Sequence, residues 1–206
     1  MSDTTHWQTV YETKRTDEVS WYRPHLDRSL ALIDGLGLGE DARVLDAGAG
    51  ASTLADDLLA RGFRHLTLLD LSRAALEATR ARLGARAAEV TFLVGDACEP
   101  LVPDGSIDLW HDRAVFHFQT DPVKRSTYVE RIARAVVPGG HVVLATFALD
   151  GPERCSNLPV ARYDAEGLLA ALGPRFAHVR DEREAHTTPK GGTQSFTYLV
   201  ARRVAG

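Results

Sequence analysis

The stretch from Val44 to Ser52, VLDAGAGAS, sets the tightest limit on what this chain can fold into. Two apolar residues and a carboxylate lead into glycines at alternate positions, Gly48 and Gly50, and TLADDLLARG follows with helical character. The pattern is a short buried strand, a tight loop and a helix start. Glycine is needed where the backbone takes positive φ or where a ligand must approach without a Cβ in the way, and the first turn of the next helix aims unpaired N–H groups at the same spot. Such a loop suits a nucleotide, although a glycine-rich βα turn of no further use has the same pattern. The choice rests on what accompanies it downstream.

From Arg43 onward strand and helix alternate, as in a parallel sheet covered on both faces. HLTLLD ends a second strand at Asp70, and Ser72 is placed to cap a helix that turns Leu76 and Leu83 inward. VTFLV and SIDLW supply the third and fourth strands. Asp121 and Pro122 mark the cap and first position of a helix with Val129, Ile132 and Val136 on one face, stopped by Pro138-Gly139-Gly140. HVVLATFA is a fifth strand, Asp164 and Gly173-Pro174 bracket one more helix, and FAHVRDERE with SFTYLVARR reads as a closing hairpin.

Composition narrows the function classes. With 206 residues, 44% hydrophobic and 25% charged, the chain is most economically a single domain over residues 1–206. A net charge of −4 without a run of Lys or Arg argues against nucleic acid as a partner. The two cysteines, Cys98 and Cys155, have neither disulfide-framework nor zinc-ligand spacing, so no metal is expected and a reducing, cytoplasmic setting fits. The N-terminus lacks a signal-peptide pattern and no apolar run is long enough to cross a bilayer, so a soluble protein without a membrane partner is expected.

Residues 1–40 form a helical segment ahead of the core at 41–206. Trp7, Val10, Tyr11 and Lys14 fall at helical spacing, Trp21 and Tyr22 follow, and a second helix carries Leu26, Leu30 and Ile33. The aromatics are either ordinary core or a lid that closes over a ligand.

Carboxylates at the strand ends give the glycine loop its context. Ligands of an open α/β sheet bind beyond the carboxyl ends of the strands, and Asp46, Asp70, Asp96 and Asp112 each close a successive strand. One such Asp is commonly a helix cap; four in register after a glycine loop point to a ligand. Asp70, 20 residues past Gly50, is positioned to accept both ribose hydroxyls, and Asp96 to accept from an adenine amine. Together they describe an adenosine site.

This layout resembles the class I S-adenosylmethionine-dependent methyltransferases along nearly the whole chain. Asp46-Ala47-Gly48-Ala49-Gly50 matches the family's acidic glycine motif, and Asp70, Asp96 and Pro138-Gly139-Gly140 match its ribose acid, its adenine acid and its post-strand Pro-Gly-Gly. The resemblance implies an α/β, Rossmann-like, doubly wound fold: a three-layer sandwich around a seven-stranded sheet with an antiparallel terminal hairpin. It also implies S-adenosylmethionine as cofactor and S-adenosylhomocysteine as product, with Asp46, Gly48, Ala49 and Gly50 near the methionine portion, Asp70 and Leu71 at the ribose, Asp96 and Ala97 at the adenine, and Asp112 beside them. A nicotinamide dinucleotide enzyme, the main rival, would want a third glycine at position 53, which is Thr.

Methyl transfer needs an acceptor lone pair held about 3–3.5 Å from the methyl carbon and, for weakly acidic acceptors, a base. WHDRAVFHF, Trp110 to Phe118, follows the fourth strand at the reacting end of the sheet. Asp112 is placed to orient an acceptor or take a proton, and Arg113 either binds an anionic group or clamps Asp112. His117 is either a base or a histidine packed between Phe116 and Phe118. His186, beside TTPKGG, is a second candidate base or a solvated loop residue. Trp7, Tyr11, Trp21, Tyr22 and Cys155 complete the expected acceptor site, Cys155 as a wall residue in the loop from Leu149 to Tyr163. The Asp-Arg-Ala core resembles thiopurine-type small-molecule methyltransferases, whereas the N-terminal aromatics resemble certain lysine methyltransferases. The expectation is a small-molecule acceptor, with a protein lysine as the alternative enzyme reading, a non-catalytic cofactor-binding regulator as the alternative outside catalysis, and a monomer or homodimer as the assembly.

Overall fold

A computed structural model describes residues 3–204; the outermost positions of the expected domain lie outside the described residues. Helices α1 (Asp3–Thr13) and α2 (Asp27–Asp34) precede β1 (Arg43–Ala47). The chain then runs through α3 (Leu54–Ala60), β2 (His65–Asp70), α4 (Arg73–Leu83), β3 (Val90–Val94), β4 (Ile107–Arg113), α5 (Pro122–Ala135) and β5 (Val136–Phe147). A two-residue ribbon, β6 (Arg154–Cys155) with β7 (Leu158–Pro159), precedes α6 (Ala165–Leu172), β8 (Phe176–Thr187) and β9 (Thr193–Arg203).

The main sheet has seven strands in the order β3-β2-β1-β4-β5-β9-β8, parallel from β3 to β5, with β9 antiparallel to both its neighbours. This is the Rossmann-like methyltransferase fold. The period-2 alternation of the central strands sends successive side chains to opposite faces. Val44 and Val143 pack with Leu30, Leu54, Leu58 and Leu76 on one face, while Leu45, Val142 and Leu144 pack with Tyr128, Ile132 and Leu168 on the other. Both faces are therefore apolar and the sheet lies between two helical layers, as the near-continuous apolar runs of β1 and β5 require.

The caps form as the residue types demand. Ser72 accepts from Ala75 N, Asp164 from Gly167 N, and Asp121 from Val123 N and Lys124 N ahead of Pro122; each such cap is worth about 1 kcal/mol. One boundary differs from expectation: α5 ends at Ala135, and Pro138-Gly139-Gly140 lies inside β5 rather than stopping the helix. Ile107 pairs with Val136 and Leu109 with His141, so the Pro-Gly-Gly segment bulges out of the ladder, with Gly139 at φ +83° and Pro138 lacking the N–H that pairing needs.

Candidate active site

At the carboxyl end of the sheet, β1 and β2 are pinned together before any ligand is considered. Gly48 N and Ala49 N donate to Leu69 O at 2.7 and 3.1 Å, and Gly50 N donates to Asp70 Oδ2 at 2.8 Å. Asp70 also accepts from Ser72 N at 2.7 Å, so one carboxylate ties the glycine loop to the start of α4. Burial pushes that carboxyl up to about 6 despite these donors. The glycines are dictated by close approach as well as by their positive φ. A Cβ on Gly48 would stand 1.9 Å from Val115 Cγ2, and one on Gly50 would stand 2.4 Å from the Tyr11 hydroxyl oxygen.

A cavity of about 310 Å³ opens over this loop. Its first end is lined by Gly48, Asp70, Leu71, Asp96 and Ala97, its second by Trp7, Trp21, Phe118, Phe147, Phe196, Cys155 and Arg113, and Tyr11 stands over the glycine loop between them. Trp7 meets Trp21 and Phe118 edge to face, with ring centroids 5.7 and 5.2 Å apart. A smaller cleft of about 50 Å³ continues beyond Gly48, where Asp46, Ala49, Tyr22, Arg23, His111 and Arg113 contribute. Of the expected ligand residues, Gly50 borders neither space, because the Tyr11 hydroxyl covers it.

Asp112 requires correction. It is fully buried and borders neither space, its oxygens accepting from Val115 N at 2.8 Å, Phe116 N at 2.9 Å and Tyr128 Oη at 2.6 Å. Held by three donors and shut off from both spaces, it fixes the loop after β4 and does not reach a substrate or cofactor. Nor does Arg113 clamp it. Arg113 Nε donates to Tyr198 Oη at 3.1 Å, Nη1 donates to Trp21 O at 3.0 Å, and the guanidinium carbon lies 4.8 Å from the centre of the Phe196 ring.

The two candidate bases are corrected as well. His117 is wholly buried, packed against Phe118 and Phe147 rather than between its sequence neighbours, with neither ring nitrogen hydrogen-bonded. Burial, helped by the charge of Arg113, holds its pKa down at about 3, so the ring is neutral and sealed behind the cavity wall. His186 is neither solvated nor in the cavity: it is buried on β8 with Nε2 2.7 Å from Ser20 O. Cys155 does form wall, its thiol pushed up to about 12 by burial.

Phe147, Phe196, Val115 and Arg23 went unnoticed in the sequence. Phe147 and Phe196 are cross-strand partners on β5 and β9, at the end of that ladder nearest the cavity. The available signal was an aromatic at the carboxyl end of an otherwise aliphatic β5; Phe196 needed the hairpin register. Buried beneath the loop, His111 Nδ1 lies 2.7 Å from Asp46 Oδ1 and Nε2 lies 2.9 Å from Ser29 Oγ, linking β4, β1 and α2.

The family model described as a methyltransferase domain matches residues 44–140. The solved Burkholderia thailandensis 1,6-didemethyltoxoflavin-N1-methyltransferase, holding its substrate and S-adenosylhomocysteine, is 27% identical, with a TM-score of 0.74 over 98% of this chain and 87% of that one. Residues 44–140 thus match a methyltransferase domain, and in sheet order and glycine loop the chain is similar to the class I S-adenosylmethionine-dependent methyltransferases. A curated relative, the ubiquinone biosynthesis O-methyltransferase of Alkalilimnicola ehrlichii, is 30% identical over 146 residues, which are 68% of this chain. The chain spans about half of that relative, 53% of its length. A structure from echinomycin biosynthesis, concerned with conversion of a disulfide bond into a thioacetal group, shares the fold at TM-score 0.80 and 18% identity, over 98% of this chain and 93% of that one. Among the described residues, no helix is long and apolar enough to cross a membrane, and no cluster of side chains suits a metal ion.

Proposed function

We propose that the protein transfers a methyl group from S-adenosylmethionine to a small-molecule acceptor held in the aromatic end of its cavity. The observation that carries this is one continuous cavity, with Asp70 and Asp96 at one end and Trp7, Trp21, Phe118, Phe147 and Phe196 at the other. The residues present fit the cofactor: Asp70 would accept from the ribose hydroxyls, Asp96 and the backbone at Ala97 would meet the adenine edge, and Gly48, without a Cβ, would leave space for the methionine chain. In the adjoining cleft Arg23 and Asp46 carry charges complementary to an amino acid's carboxylate and ammonium. The bound cofactor supplies a methyl on a sulfonium, open to in-line displacement.

This chain's own contribution is position and exclusion of water. Asp112 is committed to the loop, His117 is sealed and neutral, and the Cys155 thiol stays protonated, so none is a ready base. The acceptor's lone pair must be available on arrival or be made so by the field of the cavity. A lysine side chain fits less well, since its ammonium would enter beside the like charge of Arg113. Incubation with methyl-labelled S-adenosylmethionine and either a metabolite extract or a protein lysate tests the reading. Label in a small molecule supports it, label in protein favours the lysine alternative, and cofactor binding with no transfer to either favours a non-catalytic regulator.

A further inference from the structure

Arg113 is a cation without a counter-ion at the acceptor end of the cavity. Its hydrogen-bond partners are two neutral oxygens, Tyr198 Oη and Trp21 O, and among the described residues no carboxylate stands within ion-pair distance. The nearest acid in this network, Glu184, reaches it only through Tyr198, whose hydroxyl donates to Glu184 Oε2 at 2.9 Å. Nη2 lies out of solvent with no partner. A guanidinium set among Phe147, Phe196 and Trp21, partly open to the cavity and with donors unused, is costly unless an acceptor group completes it. Its hydrogen bonds to Tyr198 and Trp21 and its stacking on Phe196 fix the plane of the fork in advance, which lowers the entropy lost when a planar anion docks.

The two ends of the cavity are also opposite in sign. Asp70 and Asp96 stand at the first end, where Asp121 and Lys124 also line the wall, Lys124 O lying 3.8 Å from Cys98 Sγ, while Arg113 is the charged residue beside the Phe196 ring of the second. A cationic sulfonium between them would favour an anion on the Arg113 side.

We infer that the acceptor is an aromatic small molecule carrying a negative charge, a carboxylate or an ionised enol, phenol or thiol, which Arg113 holds among the rings of Trp7, Trp21 and Phe196. The inference rests on the methyl-transfer reading above and adds the acceptor's charge class. It explains how an aromatic end lined by no carboxylate or histidine serves the reaction: the acceptor's anion is stabilised by a fixed cation instead of being generated by a proton acceptor.

The test measures binding by calorimetry to protein saturated with S-adenosylhomocysteine, using 2-naphthoate and indole-3-carboxylate as probes against their carboxamides and against 2-naphthylmethylamine. The acids should bind about ten- to hundredfold tighter than the amides, the range for a charged hydrogen-bonded pair, and the amine weakest. Arg113→Gln should abolish the preference for acid over amide, and Arg113→Lys should keep part of it, since the charge stays and the fork is lost. Equal binding of acid and amide by the wild-type protein, or tightest binding of the amine, would overturn the inference without reference to any variant's folding. Failure to saturate with S-adenosylhomocysteine in the first place would instead count against the methyl-transfer reading.

Discussion

Tyr128 on α5 donates its hydroxyl hydrogen to Asp112 on β4 across 2.6 Å, and both residues are fully buried. The same carboxylate holds Val115 N and Phe116 N, so it joins a strand, a helix and the loop that carries Val115 over the glycines. Asp112→Ala would strand several buried donors, each costing about 1–3 kcal/mol. The expected result is a loss of about 3 kcal/mol or more in urea denaturation, and Tyr128→Phe should couple to it in a double-mutant cycle. A catalytic Asp112 would behave in the opposite way, with stability kept and turnover lost.

Asp112 also shows where the sequence was legible and where it was not. Residues that act through the backbone could be recognised early: Ser72, Asp121 and Asp164 cap the helices they precede, and Asp70 and Asp96 reach the cavity because they follow strand ends. A strand-end carboxylate, however, looks the same whether it faces ligand or core. The direction of Asp112 depends on the pleat of β4 and on Tyr128, 16 residues away. His117 and His186 failed for a related reason, since their burial is produced by Phe147 and by Ser20 on distant parts of the chain. The Pro-Gly-Gly segment carried a true turn signal, but the turn it makes is a bulge within β5.

Asp70 should make cofactor affinity depend on pH. Its folded carboxyl titrates near 6, above the ordinary carboxylate value of 3.8, and hydroxyl donors from a ribose favour the ionised form. Protonation therefore competes with binding, and the dissociation constant of S-adenosylhomocysteine should rise about tenfold from pH 7.5 to pH 5. Without ligand the sign reverses: the raised pKa gives stability present below pH 3.8 and lost as pH rises through 6. Calorimetry at the two pH values checks the binding half, and Asp70→Asn should flatten it; a wild-type profile that is already flat would remove Asp70 from the ribose.

Gly48→Ala should abolish cofactor binding and destabilise the protein by about 2 kcal/mol or more, because the new Cβ meets Val115 Cγ2 at 1.9 Å and the backbone φ is +70°. Adding Val115→Ala relieves the clash and leaves the strain. Thermal melts should therefore show partial recovery in the double variant, and full recovery would mean that the left-handed backbone costs nothing there.

Polar contacts that tie the N-terminal helix to the core include Gln8 Oε1 accepting from Ser72 Oγ and Ala74 N at 3.1 and 3.2 Å, and His6 Nε2 lying 3.0 Å from Ser156 Oγ. If Trp7 and Tyr11 close over bound ligand, S-adenosylhomocysteine should slow amide exchange in α1 more than in α5. Equal slowing in both helices would make α1 part of the permanent core.

His117 offers the sharpest separation of stability from chemistry. Its folded pKa, about 3, lies below the ordinary 6.5, so the folded state requires the neutral ring while the unfolded chain takes up a proton as pH falls. The stability this residue contributes is thus present above pH 6.5 and is lost progressively as pH falls toward 3. Between pH 7.5 and pH 5 the loss should reach about 2 kcal/mol, the free energy of protonating one unfolded histidine over that interval. His117→Phe keeps a ring against Phe118 and Phe147 and removes the titration. Urea denaturation of both proteins should show the variant gaining about 2 kcal/mol on the wild type as the buffer is taken to pH 5; the opposite contributions of Asp70 and Asp112, whose carboxyls burial pushes up to about 6, are common to both and cancel. Turnover of the folded variant should remain within a few-fold of wild type, whereas a fall of about 10²-fold or more would restore the histidine as a general base. In that event the ring would have to reach the cavity by moving Phe118 aside, and the pH profile of turnover would lose its acid limb in the variant.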